Sequence, residues 1–155
     1  MALVWGMIFL GAMAIYGLWQ DITSSHETQN INDDGAIMVP RSRDGHFYLT
    51  LQINSVDIEF LVDTGATDLV LSPQDAKNVG IVIENLAFLN SAKTANGTVP
   101  IAYVNLEQVQ LGKYLDKFVS AAVNSSNMNK SLLGVSYLDR YQRIEILADS
   151  LKMYR

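Results

Sequence analysis

The chain has 155 residues, 49% of them hydrophobic, with a formal net charge of −5 and no cysteine. That length and apolar content provide for one core and one folded domain. The acidic balance argues against a nucleic-acid partner, and the missing thiols exclude disulfides and cysteine metal sites.

Ala2 to Trp19 contains no charged residue. At about 1.5 Å per residue this stretch reaches roughly 27 Å, close to the thickness of a bilayer core. Trp5, Tyr16 and Trp19 stand near its ends, where aromatic rings favour the interface. Residues 1–19 are therefore expected to form a single-pass transmembrane anchor. Ala12-Met13-Ala14 also has the small-x-small form of a leader cleavage site. The absence of a basic start and the apolar sequence beyond Ala14 favour the anchor. No Lys or Arg precedes Arg41, so charge alone does not orient it. Residues 20–35 are rich in Ser, Thr, Asn and acids without apolar periodicity, and read as a flexible acidic tether. The folded domain is expected over 36–155.

Within it, Ala36 to Pro40 reads as a first strand and Arg41 to Gly45 as a polar turn. His46 and His26 are isolated histidines, so no metal site is expected. Phe47, Leu49, Leu51 and Ile53 alternate with polar neighbours, as do Val56, Ile58, Phe60 and Val62, with Asn54-Ser55 as a turn between them. This hairpin delivers Asp63 to its far end. An ionised carboxylate at the end of a buried strand costs several kcal/mol unless it is satisfied. Asp63 is thus a hydrogen-bonded turn residue with Gly65 supplying the tight bend, or it is functional.

Leu69 to Leu71 follows as a short buried strand, then a helix capped by Ser72, opened by Pro73 and closed by Gly80. Ile81 to Leu89 reads as strand material. Lys93 to Val99 reads as a hairpin, with Asn96-Gly97 as the turn signal. Pro100 to Leu111 continues as a strand, Gly112-Lys113 turns, and Asp116 to Val123 returns. After a polar loop, Ser131-Leu132-Leu133-Gly134 reads as a buried strand ending at glycine, Val135 to Tyr141 as a short helix, and Arg143 to Tyr154 as a closing hairpin.

Four of these features occur together and in order: the turn Asp63-Thr64-Gly65-Ala66, the hairpin tip around Ala95, Asn96 and Gly97, the apolar triplet Leu132-Leu133-Gly134, and its continuation Val135-Ser136-Tyr137-Leu138. On these the chain resembles the retropepsin-like aspartic proteases, in their bacterial, membrane-anchored, single-domain branch. The resemblance implies a mostly β, closed-barrel-like protomer with one or two short helices, here preceded by a transmembrane helix, and a domain on the periplasmic side.

It also implies chemistry. Such enzymes activate water between two carboxylates that share one proton, since like charges about 3 Å apart do not both ionise. The chain holds one Asp-Thr-Gly and no Asp-Ser-Gly, so the active form is expected to be a homodimer with one Asp63 from each chain. By resemblance, Thr64 and Gly65 shape the turn, Ala95, Asn96 and Gly97 form the tip of a flap over an extended polypeptide substrate, and Leu132, Leu133 and Gly134 support the turn. Ala66 offers the carboxylates no side-chain hydrogen bond, where a serine would. No cofactor is required. The competing expectation is a non-catalytic, membrane-tethered peptide-binding domain on the same fold.

Overall fold

The computed structural model describes Met13 and residues 29–31, 35–94 and 97–155. The expected anchor and most of the expected tether lie outside the described residues. Among the described residues no helix is long and apolar enough to cross a membrane.

The alternating hairpin sets the architecture. Strands β3 (Tyr48–Ile53) and β4 (Val56–Val62) pair antiparallel from Tyr48↔Leu61 to Ile53↔Val56. Leu49, Leu51, Ile53, Ile58 and Phe60 are buried. Asn54 and Ser55 both take positive φ, 49° and 71°, which is the turn whose twist matches a two-residue hairpin. The later strands are β5 (Val70–Leu71), β6 (Asn90–Thr94), β7 (Gly97–Leu111), β8 (Tyr114–Asn124) and β9 (Ser131–Leu133). The order β3-β4-β9-β5-β8-β7, closed by β7 pairing back onto β3, makes a six-stranded barrel. β6 extends it as an outer strand on β7. Closure removes most of the unpaired strand edge and encloses one apolar core.

Two short helices complete the domain, α1 (Pro73–Asn78) and α2 (Val135–Leu138). The Ser72 side chain accepts from the Asp75 N–H at 3.1 Å, and Gly80 takes φ 89° just beyond the helix. Ile81 to Leu89 differs from the expected strand. It is irregular around a 3-10 turn at Ile83–Asn85, and Ile81, Ile83, Leu86 and Phe88 pack half-buried against the core. Its apolar residues cover the core from this irregular segment.

A second, four-stranded antiparallel sheet gathers both ends of the domain in the order β1 (Asn30–Ile31), β2 (Ile37–Pro40), β11 (Ser150–Tyr154) and β10 (Arg143–Ile146). Ile37, Val39, Leu151 and Met153 are its buried residues. β1 falls inside the stretch expected to be tether. It is held by pairing with Ile37 and Met38, and by Gln29, whose side-chain amide donates to and accepts from the Thr50 backbone at 2.8 Å each. The folded unit thus includes residues before 36.

Beside this sheet Asp116, 7% exposed, accepts from Arg140 at 3.3 Å and from Arg155. Removing a buried carboxylate strands both cations. Asp116→Ala is expected to cost about 2–3 kcal/mol, the low end of the range because the arginines remain partly wet; the midpoint of urea unfolding reads this. The neighbouring hydroxyls of Tyr137 and Tyr141 are buried with no hydrogen-bond partner among the described residues. Burial is the main cause that pushes Tyr141 up to about 12 and Tyr137 higher still. A pKa raised in the folded state gives stability that is full below the ordinary tyrosine value near 10 and is lost as pH rises through the raised values. Tyr137→Phe is therefore expected to be neutral or stabilising near neutral pH and to flatten the loss of stability that sets in above about pH 10, measured by denaturant unfolding.

The long β7–β8 ribbon bends. Its register is continuous from Ile101↔Asn124 to Leu111↔Tyr114 except at Glu107 and Phe118, which do not pair. Leu106 and Val119 face inward on one side of this break, Val109 and Asp116 on the other, so both strands exchange their inward face there. The bend carries one ribbon from the barrel wall over to the β6–β7 hairpin.

Candidate active site

The turn after β4 is built by backbone geometry. Asp63 Oδ1 accepts from the Gly65 N–H at 2.8 Å, and the Asp63 carbonyl accepts from the Ala66 N–H at 3.2 Å. The Asp63 N–H donates to the Leu133 carbonyl at 3.1 Å, which fastens the turn to β9. β9 lies between the two strands that flank the turn, parallel to β4 through Leu61↔Leu132 and Val62↔Leu133, and beside β5 at Val70. Asp63 and Ala66 are half-buried, while Thr64 and Gly65 are exposed.

Gly134 sits beneath the turn. A Cβ there would stand 2.6 Å from the Ala66 carbonyl oxygen and closer still to that of Asp68. The two segments are laced by Val135 N–H to the Ala66 carbonyl, 2.9 Å, Ser136 N–H to the Thr67 carbonyl, 2.8 Å, and Leu69 N–H to Ser136 Oγ, 3.2 Å. On the other side Ser131 Oγ donates to Asp75 at 2.6 Å and accepts from the Ser72 N–H at 3.0 Å, which ties the start of β9 to the cap of α1. Leu133 is fully buried, and Leu132 reaches the cleft.

That cleft has a volume of about 550 Å³. Its floor is Asp63, Ala66 and Asp68, its side walls include Val70, Ala122 and Leu132, and its roof is the β6–β7 hairpin through Ala92, Lys93, Thr94 and Val99. The mix of apolar walls with a few polar groups suits a bound ligand. Ala95 and Asn96 lie outside the described residues. Gly97 is described: it already pairs with Thr94 and takes φ 118° at the first position of β7.

Sequence reasoning gave no role to Asp68 and Tyr103. The Tyr103 hydroxyl donates to Asp68 Oδ2 at 3.0 Å inside the cleft, and that bond raises the Tyr103 pKa. The two are far apart in the chain, so spacing gives no sign of the contact. Among the described residues no three His, Cys, Asp or Glu side chains converge to offer a metal a ligand set.

The family whose description reads "gag-polyprotein putative aspartyl protease" matches residues 49–140, which span the turn, the β6–β7 hairpin and Leu132-Leu133-Gly134. The chain belongs to this family. The crystal structure of a retropepsin-like aspartic protease from Rickettsia conorii is 38% identical, with a TM-score of 0.71 over 76% of this chain and 98% of that one. An uncharacterized protein of Rickettsia prowazekii is 38% identical over 117 residues, 76% of this chain and 50% of that protein. A second, from a Sinorhizobium species, is 31% identical over 118 residues, 76% of this chain and 51% of that protein. The chain thus spans about half the length of the curated relatives it matches. The EIAV protease in complex with an inhibitor matches at 16% identity and a TM-score of 0.57, over 68% of this chain and 97% of that one, and shares the fold. The domain is a retropepsin-like aspartic protease in family and fold.

Proposed function

We propose that the chain is an aspartic endopeptidase that acts as a homodimer on polypeptides bound as extended strands, from a membrane anchor formed by residues 1–19. The observation that carries this reading is the Asp63 carboxylate on the floor of a peptide-sized cleft, with one backbone donor and no ion pair among the described residues, while the other carboxylate of the floor, Asp68, is engaged by the Tyr103 hydroxyl. A lone carboxylate of this kind lacks the partner with which to share a proton, and exposed Thr64 and Gly65 leave the turn open to a second copy.

In the dimer one carboxylate takes a proton from a water, whose oxygen attacks the scissile carbonyl carbon. The other, protonated, hydrogen-bonds the carbonyl oxygen and stabilises the tetrahedral species. Proton transfer to the amide nitrogen then breaks the C–N bond and releases a carboxylic acid and an amine. The β6–β7 hairpin closes over the peptide and excludes water. Ala92, Val99 and Val70 offer apolar contacts to side chains on either side of the scissile bond. The apolar sequence of residues 2–19 supports anchoring, and the acidic stretch after it supports a periplasmic domain.

A mixing experiment tests the shared site. Wild-type chain and Asp63→Asn chain, co-expressed in equal amounts, are expected to retain about a quarter of the wild-type activity, because only dimers with two carboxylates turn over. A loss of half would show that each protomer works alone.

A further inference from the structure

The bend of the β7–β8 ribbon carries a feature that neither the barrel nor the cleft uses. Phe118 sits there at φ 53° with its side chain 74% exposed. Positive φ is strained for an aromatic residue, and an exposed phenyl ring forgoes the stabilisation of burial. Leu115, also exposed, lies on the same strand opposite exposed Gln110. Lys113 and Lys117 are exposed around them, with Glu107 as the acid across the bend and Asp57 three strands away with its carboxylate held by the Gln52 amide at 3.1 Å, while the Asp116 carboxylate is taken by Arg140 and Arg155. A chain of net charge −5 therefore presents a small apolar and cationic face at this one end.

The amino-terminal segment enters the domain beside this face. The Gly35 carbonyl accepts from the Tyr114 hydroxyl at 3.1 Å, and a Cβ on Gly35 would stand 2.9 Å from Lys113 Nζ. Gln29 is fixed to Thr50 of β3, the strand that neighbours β7. Residues 20–28 separate Gln29 from apolar Ala2–Trp19, and such a stretch reaches no more than roughly 30 Å when extended. The cleft lies at the opposite end. Asn54, which accepts from the Gln108 N–H at 3.2 Å, is at the turn of the β3–β4 hairpin, and Asp63 is beyond the far end of β4, on the order of 25 Å away.

We propose that Leu115, Lys117 and Phe118, with Lys113, dock on the anionic surface of a lipid bilayer and hold the cleft turned away from it. Aromatic rings favour the membrane interface, and lysines beside them gain from anionic headgroups. The strained, exposed Phe118 then has a partner. This inference rests on the reading of residues 1–19 as an anchor.

The test uses the full chain, whose lack of cysteine allows one label at Gln110→Cys, which lies across from Leu115 and leaves the proposed contacts in place. A control label goes at Leu89→Cys, 87% exposed in the segment that leads into the flap hairpin. Each labelled chain is floated with vesicles of phosphatidylcholine, with or without phosphatidylglycerol, that carry a nitroxide-labelled lipid as quencher. On the anionic vesicles quenching at 110 is expected to be several-fold greater than at 89. High salt is expected to lower it, and Phe118→Ser to bring it to the level of the control with an unchanged melting temperature. Equal quenching at both positions on floated chain overturns the docking face and leaves the anchor standing. A chain that does not float overturns both, while cleavage of an unfolded protein by the same sample separately preserves the protease reading. If Phe118→Ser separates a dimer and leaves lipid quenching unchanged, the face belongs to a second copy and the proposal fails.

Discussion

Substituting Ala for Gly134 is expected to destabilise the domain by more than about 3 kcal/mol, beyond the usual range for an added methyl group. The reason is steric and not conformational, since Gly134 has φ −88° and ψ −179°, which any residue adopts. A methyl group at this position meets the carbonyl oxygens of Ala66 and Asp68, and neither retreats cheaply. The Ala66 carbonyl is held by the Val135 N–H, and the next segment is held by Ser136 through both its N–H and its hydroxyl. Room for the methyl group comes only by breaking these bonds and lifting the turn off β9. Stability and the position of Asp63 are thereby coupled. Thermal unfolding is expected to show a fall of roughly 10 °C or more, and the fraction that remains folded is expected to lose proteolysis as well. A variant with wild-type melting would remove the tight packing on which this account of the turn rests.

Asp63→Asn is expected to separate the two properties. The side chain is nearly isosteric, and its oxygen still accepts from the Gly65 N–H, so the turn keeps its internal bond. Asp63 makes no ion pair among the described residues, and stability is expected to stay within about 1 kcal/mol of wild type. Activity is another matter. An amide neither takes the proton of the attacking water nor shares one across the dimer, and the loss of general acid and base function is worth about 10²–10⁴-fold or more in rate. Turnover by each variant, measured beside its melting temperature, distinguishes a supporting residue such as Gly134 from a reacting one.

Much of this site was legible in the sequence because local patterns imposed it. The alternation from Phe47 to Val62 fixes a hairpin whose period leaves Asp63 at its end, and Ser72-Pro73 and Gly80 bracket a helix by capping chemistry that needs no tertiary partner. Where long-range packing decides, the patterns were mute or misleading. Ile81 to Leu89 has enough apolar residues for a strand but turns at Ile83–Asn85 and spends them packing against the core. Asn30 and Ile31 have no strand-like pattern and are ordered by β2 and by the grip of Gln29 on Thr50. The meeting of Asp68 with Tyr103 is made by closure of the barrel, not by spacing. The bend of the β7–β8 ribbon did leave a trace: in β7, inward Leu106 is followed by Val109 in place of a residue at 108, a skip in the alternation that marks the exchange of faces.

The measurement that tests the central claim most directly is cleavage of an unfolded protein by the full chain over about pH 4 to 7, the range in which a shared-proton carboxylate pair works, beside Asp63→Asn and Asp68→Asn. The account predicts that wild type and Asp68→Asn cut the substrate into defined peptides and that Asp63→Asn leaves it intact. Cleavage by Asp63→Asn, or an intact substrate with wild-type protein shown to be folded and dimeric, would contradict it.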